Sequence, residues 1–380
     1  MPRLTLRAAF LLLTALIAAS ASVASTPVPP PPSLPAKGYV LLDAFSGRIL
    51  VGQNDNERLE PASLTKLMTS YVVFHALKEG KLRLDQAVPI SEHAWKAEGS
   101  RTFVDVGTRV RVDLLVQGMI VQSGNDATIA LAEAVAGSEG TFAALMNQYS
   151  QRLGLKGSHW ANTDGLPDPQ HYTTARDIAL LGAALIREFP EYYKWFSQRS
   201  FTYNNITQQN RNGLLERDPT VDGIKTGHTE AAGYCLATSA LRDGMRLVSV
   251  VMGTASPKVR EDASAALLGF GFNFFETRRL YAAAQKISEA HVFKVGDPVA
   301  IVVRSDVYAT AARGELSGVK AQLALNPRLV APLAATTPVG RLRLTLDDKV
   351  IADVPVYPAA AVPTGSLYRR LVDTVRLWFS

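Results

Sequence analysis

Three short motifs in the chain carry residue types that together can cleave an amide bond. Ser63-Leu-Thr-Lys66 comes first, Ser123-Gly-Asn125 second and Lys225-Thr-Gly227 third. A serine hydroxyl becomes an effective nucleophile only when a base removes its proton. Residues three apart on a helix share a face, so the Lys66 amine can reach the Ser63 hydroxyl. The first motif therefore predicts a serine nucleophile with a lysine base.

The second motif supplies polar groups that such a base needs. Ser123 can relay a proton between Lys66 and the leaving amine, and Asn125 can hold either Lys66 or a substrate amide. Lys66 must be neutral before it can accept a proton. We expect burial beside a second cation, Lys225, to lower the pKa of Lys66 toward neutrality.

The third motif suits the carboxylate end of a substrate. Lys225 and Thr226 can bind a carboxylate, and Gly227 lets a bound chain approach its strand closely. A second Ser-x-x-Lys match, Ser317-Gly-Val-Lys320, has no helix start, and we regard it as accidental. The prediction depends on the ordered set of three motifs, each in fitting local structure.

These motifs lie in a predicted α/β domain over residues 38–285. The first motif begins an apolar helical pattern that ends at Gly80, and a hairpin is predicted over residues 39–51. The third motif lies in a run of predicted strands over residues 223–252. Helices packed on an antiparallel sheet give the α/β class. Further helices are predicted over residues 114–121, 126–136, 175–189 and 257–275.

The N-terminal segment predicts export. Arg3 and Arg7 accompany an apolar run over residues 8–19, and Ser22-Val-Ala24 supplies the small residues that a signal peptidase requires. We therefore expect a signal peptide over residues 1–24. The alternative, an uncleaved membrane anchor, is disfavoured because the apolar run is short. Six prolines among the eleven residues 26–36 predict an extended linker without packed structure over residues 25–37.

Two smaller units are predicted after the α/β domain. Over residues 286–363 the strand pattern of 341–346, a turn at Asp347-Asp348 and a partner strand at 350–356 indicate a small all-β domain. Within residues 364–380, the last fifteen residues predict an amphipathic helix about 22 Å long, which is too short to span a bilayer but suits its interface. The alternative is a helix packed on its own protein. One face carries Leu367, Tyr368, Leu371, Val372, Val375, Trp378 and Phe379, and the other carries Arg369, Arg370, Asp373 and Arg376.

The composition excludes several classes of function. The net charge is +6 and no run of basic residues occurs, so nucleic-acid binding is not expected. Cys235 is the single cysteine, which excludes an internal disulfide and predicts a small buried side chain. Neither a metal nor another cofactor is expected. The histidines that lack zinc-peptidase spacing are His75, His93, His159, His171 and His291.

The three motifs resemble those of the penicillin-recognising serine enzymes. Longer stretches are similar to the low-molecular-weight penicillin-binding proteins of the 5/6 type, the D-alanyl-D-alanine carboxypeptidases. The resemblance runs from about Gly38 to the C-terminus. The stretches that carry it are residues 122–126 (QSGND), 210–215 (NRNGLL), 221–229 (VDGIKTGHT) and 268–277 (LGFGFNFFET).

The resemblance implies specific roles for residues of this chain. Ser63 is the acylated nucleophile, Lys66 is its base, and the backbone N–H groups of Ser63 and His228 form the oxyanion hole. Arg211 and Arg260 line the carboxylate end of the site, although the stretch before Arg260 departs from the family pattern. Arg211 has an alternative interpretation as a structural ion-pair arginine.

The resemblance also implies a substrate and a location. The expected substrates are peptidoglycan stem peptides ending in D-Ala-D-Ala, and β-lactams are the expected inhibitors. We expect the protein to be periplasmic and held by its terminal helix on the outer face of the cytoplasmic membrane.

Three alternative functions share parts of this pattern. A β-lactamase of the Ser-Asp-Asn type needs a further glutamate to activate water, and residues 140–187 contain none, while Gly124 replaces its aspartate. A DD-endopeptidase would use the same chemistry in a different pocket. A non-catalytic wall-binding scaffold would not require the serine and both lysines.

Overall fold

The computed structural model of the chain describes residues 27–377. The predicted signal peptide and the last part of the predicted terminal helix, Trp378 and Phe379, lie outside this range. The α-helices, in chain order, are α1 (Thr65–Lys78), α2 (Glu92–Trp95), α3 (Val112–Gln117), α4 (Asn125–Ala136), α5 (Glu139–Leu153), α6 (Ala175–Glu188), α7 (Pro190–Tyr193), α8 (Leu214–Arg217), α9 (Pro257–Phe274) and α10 (Leu367–Arg376). The strands are β1 (Gly38–Asp43), β2 (Ile49–Gln53), β3 (Ala87–Pro89), β4 (Arg109–Arg111), β5 (Ser200–Tyr203), β6 (Ile206–Gln209), β7 (Val221–Thr229), β8 (Gly233–Arg242), β9 (Met245–Thr254), β10 (Phe275–Tyr281), β11 (Lys286–Ala290), β12 (Val299–Val302), β13 (Val307–Ala312), β14 (Lys320–Leu325), β15 (Gly340–Leu346) and β16 (Lys349–Pro358).

The first domain is built on an antiparallel sheet with the strand order β2-β1-β9-β8-β7. Side chains alternate along each strand, so the sheet has two apolar faces. Val40 and Leu42 of β1 pack with α1, α4 and α6 on one face, and Tyr39 and Leu41 pack with α9 on the other. The predicted α/β class is confirmed, and β7, which carries the third motif, lies at the edge of the sheet.

Helix α1 crosses the middle of the helical layer. Most of its residues are buried on all sides, which explains why it is apolar around much of its circumference. It ends as predicted, because Gly80 follows it with a positive φ of 71° that residues other than glycine rarely adopt. The Lys66 side chain on its first turn is therefore placed inside the protein.

Two parts of this domain differ from the prediction. Helix α5 was not predicted, although Ser138 caps its start by accepting a hydrogen bond from the Thr141 N–H. The proline-rich linker is not free along its whole length. The carbonyl of Pro32 accepts a hydrogen bond from the Tyr39 hydroxyl, and Leu34 and Ala36 pack against the core. The apolar residues between the prolines give the linker this contact.

The second domain contains the predicted antiparallel strands, with the order β11-β12-β16-β15-β14 in its main sheet. Its first strand begins earlier than expected. β10 starts at Phe275, directly after α9, and pairs with β13 of the second domain. β10 thus pairs with a strand of the second domain, while Thr277 of β10 donates a hydrogen bond to Asp43 of the first, and the boundary at 285 stays a prediction.

Helix α10 presents its apolar residues to solvent. Leu371 is 69% exposed, and Leu367, Tyr368 and Val375 are also exposed. Asp373 on the opposite face is buried, and its carboxylate accepts a hydrogen bond of 2.6 Å from the Lys294 backbone N–H. The alternative in which the apolar face packs on the protein is therefore wrong for the described part of this helix. Within residues 27–377 no single helix is long and apolar enough to cross a membrane.

Candidate active site

Ser63 lies in a short 3₁₀ turn, Ala62–Leu64, immediately before α1. This turn packs against the edge strand β7, where a Cβ added to Gly227 would lie 3.0 Å from the Pro61 carbonyl oxygen. Lys66 Nζ lies 3.1 Å from Ser63 Oγ, as the motif spacing predicts. Gly227 therefore allows close approach of the turn that carries Ser63. The sequence predicted that Gly227 admits a bound chain, and the structure shows that it admits this turn of the protein itself.

The Lys66 amine is enclosed by the protein. Its side chain is 1% exposed, and Nζ donates hydrogen bonds of 2.7 Å to Asn125 Oδ1 and to the Asp164 carbonyl oxygen. Burial lowers the pKa of Lys66 to about 8, Asp164 opposes this shift, and the Arg211 charge adds to it. The direction of the shift agrees with the prediction. Burial is the main cause, as predicted, and the cation that adds to it is Arg211 where Lys225 was expected.

The contacts of the Lys66 amine set the direction of its lone pair. A neutral amine has two N–H bonds and one lone pair, whereas an ammonium group has three N–H bonds. Asn125 Oδ1 and the Asp164 carbonyl only accept hydrogen bonds, so a neutral Lys66 gives its two N–H groups to them. Its lone pair then faces Ser63 Oγ, which is the arrangement that a general base needs.

Asn125 holds Lys66 through its amide oxygen and is anchored through its amide nitrogen. Its Oδ1 binds Lys66, and its Nδ2 donates a 2.6 Å hydrogen bond to the Glu98 carbonyl. Of its two predicted partners, Lys66 and a substrate amide, the structure shows Lys66. These contacts give Asn125 a role in positioning the base, and its contact with a substrate amide stays a prediction.

Ser123 lies in a strained turn beside this base. It follows the π-helical segment Gly118–Gln122 and has φ 67° and ψ 32°, a left-handed conformation that is unfavourable for serine. Its Oγ is buried and has no hydrogen-bond partner within the described part of the chain. Buried hydroxyl groups are usually paired. An unpaired hydroxyl here is available to the proposed relay.

Asp126 is a structural residue of the site that the motif analysis missed. Its buried carboxylate accepts hydrogen bonds from the backbone N–H groups of Thr102, Phe103 and Val104. These bonds hold the loop that carries Ser100 along the cleft. An aspartate in the first turn of α4 is the sequence signal that could have indicated such a role.

Lys225 of the third motif is buried beside the other cations of the site. It is 3% exposed and donates a 3.0 Å hydrogen bond to the Thr226 carbonyl. Burial, with the Lys66 charge second, holds the pKa of Lys225 well below its usual value. Its contact with a substrate carboxylate stays a prediction. Thr226 and His228 line the cleft, and the His228 ring stacks on Tyr234.

Two arginines lie at the cleft, which has a volume of about 450 Å³. Arg211 forms no ion pair with any carboxylate among residues 27–377, so the structural ion-pair interpretation is not supported. Arg260 is buried and donates to the backbone carbonyls of Gly227, Cys235 and Arg211. Arg211 is thus the free cation of the cleft, and Arg260 supports the backbone around it.

Comparison with known proteins identifies the family. Residues 24–256 match the family model of the D-alanyl-D-alanine carboxypeptidases, and residues 275–364 match that of the C-terminal domain of penicillin-binding protein 5. The chain belongs to the D-alanyl-D-alanine carboxypeptidase family. The resemblance predicted from the motifs is confirmed.

Individual members of this carboxypeptidase family are similar over most of the chain. The carboxypeptidase DacA of Escherichia coli K12 is 42% identical over 93% of this chain and 90% of its own length. DacA of Haemophilus influenzae is 44% identical over 90% of this chain and 89% of its own length.

Solved structures agree with the carboxypeptidase fold. Penicillin-binding protein 5 of Haemophilus influenzae has a TM-score of 0.80 and 44% identity, and the match covers 88% of this chain and 99% of that one. Penicillin-binding protein D2 of Listeria monocytogenes, solved with ampicillin bound, has a TM-score of 0.59 and 27% identity, with coverage of 64% and 100%.

The remaining predictions for this carboxypeptidase concern Cys235 and Ser317. Cys235 is buried as predicted, and burial raises the pKa of its thiol to about 11. Ser317 is exposed in the short turn Glu315–Gly318 of the second domain, which confirms that its Ser-x-x-Lys match is accidental.

Proposed function

We propose that the protein removes the terminal D-alanine from peptidoglycan pentapeptides through an acyl-enzyme on Ser63. The observation that carries this proposal is the buried Lys66 amine, whose two fixed N–H bonds leave its lone pair facing the Ser63 hydroxyl. The test is release of D-alanine from a synthetic pentapeptide by the purified protein. The matching tetrapeptide, which lacks the last residue, is the control.

The reaction has two steps in which protons balance. Lys66 takes the Ser63 proton while Oγ attacks the carbonyl carbon, and the backbone N–H groups of Ser63 and His228 stabilise the oxyanion. The proton then passes through Ser123 to the nitrogen of the departing D-alanine. Water hydrolyses the resulting ester and returns Ser63 to its starting state.

The carboxypeptidase activity is favoured over the alternatives. All three alternatives would use the same cleft, but the family models and the named relatives are carboxypeptidases. A β-lactamase-type aspartate does not fit the second motif, because a Cβ at Gly124 would lie 2.0 Å from Thr102 Oγ1. Penicillins present the same acyl centre as the peptide, so we infer that they acylate Ser63 and block it.

Arg211 should bind the free carboxylate of the substrate. We expect a substrate with an amidated C-terminus to lose about tenfold to hundredfold in kcat/KM with the unmodified protein, as for a hydrogen bond to a charged group. The Arg211→Ala variant should lose much less on the same change, because its cation is already gone. Steady-state kinetics with both substrates provide the measurement.

Arg217 provides a matched control for this experiment. It is an arginine outside the cleft that pairs with Glu261 and Asp262 on the surface. Arg217→Ala should respond to amidation like the unmodified protein. Equal losses in the Arg211→Ala variant and the unmodified protein would show that another group binds the carboxylate.

The exposed face of α10 suits attachment to a membrane. Its outward residues are apolar, while the buried Asp373 bonds Lys294 of the second domain. We infer that the exported protein is periplasmic and that α10 lies in the outer leaflet of the cytoplasmic membrane. Three exposed arginines, Arg369, Arg370 and Arg376, should add attraction to anionic lipid of about 1 kcal/mol each.

A chain ending at Thr364 should therefore remain soluble while keeping its activity. We expect the truncated protein not to sediment with vesicles, and to release D-alanine from small soluble peptides at a rate near that of the full protein. An Arg369→Gln/Arg370→Gln variant should still sediment at high salt, since apolar contacts supply most of the affinity. Sedimentation of the truncated protein would place the anchor elsewhere, and lost activity would make α10 part of the catalytic fold.

A further inference from the structure

The residue before the nucleophile has an unusual backbone conformation. Ala62 has φ 47°, in the left-handed region that alanine avoids. Its carbonyl oxygen accepts a 2.8 Å hydrogen bond from the Thr65 hydroxyl. A strained conformation persists only where surrounding contacts hold it in place. Thr65 is one of these contacts.

A buried histidine, His171, contacts the Thr65 hydroxyl on the side away from Ala62. His171 Nδ1 lies 3.0 Å from the Ala161 backbone nitrogen, whose N–H can only donate. A neutral His171 ring must then carry its proton on Nε2, which lies 2.7 Å from Thr65 Oγ1. The Thr65 hydroxyl accepts a hydrogen bond from the Nε2–H group and donates one to the Ala62 carbonyl. The donors and acceptors of the chain from Ala161 to Ala62 are therefore fully determined.

His171 is held in this neutral form by its surroundings. Its side chain is buried, and Trp160 packs against the ring edge to face, with the centroids 5.7 Å apart. Burial lowers the pKa of His171 to about 4, so the ring carries a single proton at neutral pH.

The planarity of the peptide bond links this chain to the reaction. The carbonyl of Ala62 and the N–H of Ser63 belong to one rigid peptide group and point in opposite directions. A hydrogen bond that fixes the carbonyl therefore fixes the direction of the N–H. The loop at Gly165 adds a second restraint, because a Cβ at this position would lie 1.9 Å from the Ala62 oxygen.

We propose that His171 and Thr65 are positioning residues that aim the Ser63 N–H into the oxyanion hole. This inference rests on the proposed acyl-transfer function. Their hydrogen bonds also polarise the Ala62–Ser63 peptide group, which makes its N–H a better donor. The Ser63 N–H so placed stabilises the tetrahedral transition state and polarises the acyl-enzyme carbonyl. Substrate affinity is affected little.

Two amide variants of His171 separate positioning from packing. Gln places an N–H near the position of Nε2 and keeps the bond to Thr65, whereas Asn places its amide near Nδ1 and keeps the bond to Ala161. We expect His171→Gln to acylate with penicillin within about threefold of the unmodified rate. His171→Asn should acylate about tenfold to hundredfold more slowly at saturating penicillin. This loss is smaller than the roughly 10²–10³-fold loss of rate that follows removal of a complete oxyanion-hole donor. The penicillin concentration that gives half the maximal rate should not change.

The infrared spectrum of the acyl-enzyme gives a direct readout. The ester carbonyl band should move to higher frequency in His171→Asn, since the oxyanion hole polarises the carbonyl less. In a Thr65→Val background the difference between the Gln and Asn variants should disappear, because the hydroxyl that joins His171 to the Ala62 carbonyl is gone, while the Thr65 backbone N–H still bonds that carbonyl. Thr65→Ser keeps the hydroxyl and should retain both the rate and the band position.

The controls keep this inference separate from the proposed function. His159→Gln changes a nearby, more exposed histidine whose Nδ1 lies 2.6 Å from the Gln170 carbonyl, and it should leave acylation unchanged. Equal acylation rates or equal band positions for His171→Gln and His171→Asn overturn the inference. If a His171 variant does not fold, Thr65→Val decides alone, and an acylation rate equal to that of the unmodified protein overturns the inference. Absence of any label on Ser63 in the unmodified protein overturns the proposed function instead.

Discussion

The Ser63→Ala variant is expected to form no covalent adduct with penicillin and to release no D-alanine. The Ser63 oxygen is the atom that joins the acyl group, and alanine has no side-chain atom that can replace it. Its small side chain fits the same turn, so folding should be preserved. Fluorescent penicillin labelling followed by peptide mass spectrometry measures the adduct, and D-alanine release measures turnover.

Ser317→Ala is the matched control for this variant. Ser317 is the other serine in a Ser-x-x-Lys match, but it is exposed in the second domain. Its replacement should leave labelling and turnover unchanged. Label that remains on the Ser63→Ala protein, or that maps to Ser317, would show that Ser63 is not the nucleophile.

The main elements of the fold could be predicted because their patterns are local. The apolar spacing after Ser63 predicts α1, and the paired turns near 232 and 243 predict the strands β7, β8 and β9. Strand β10 was not predicted, because its partner β13 lies farther along the chain. The pairing of distant segments leaves no periodic signal in either segment.

The sequence could predict only those parts of the site that consist of side chains with recognisable chemistry. Ser63, Lys66 and Ser123 belong to motifs, whereas the Asp164 carbonyl that fixes Lys66 is a backbone group found in every residue. The burial of Lys225 also depends on the packing of whole elements. Sequence spacing therefore indicated which cations matter and could not show which of them faces the cleft.

Left-handed residues occur on both sides of the nucleophile. Ala62 and Ser123 each have a positive φ, and each is held by its surroundings in a conformation that its residue type disfavours. Ala62 sets the peptide group that carries the Ser63 N–H, and the buried Ser123 hydroxyl has no hydrogen-bond partner within the described part of the chain. The fold thus stabilises backbone geometry that serves the reaction.

The Lys66→Ala variant is expected to lose several powers of ten in the rate of acylation by penicillin. General-base assistance alone contributes about 10²–10⁴-fold. The variant also removes the group that binds Asn125 and Asp164, so the geometry around Ser63 Oγ is lost with the base. Single-turnover labelling gives the rate, and retention of more than a tenth of it would show that another group takes the proton.

The pH dependence of the acylation rate tests the role of Lys66 as a base more directly. With a pKa of about 8, the neutral fraction falls tenfold for each pH unit below that value. The acylation rate of the unmodified protein should therefore rise about tenfold per unit toward pH 8 and level off above it. Lys66→Arg keeps a positive charge that is never released in this range, so it should be as inactive as Lys66→Ala at every pH. An active Lys66→Arg protein would mean that the charge of Lys66 matters and its proton transfer does not.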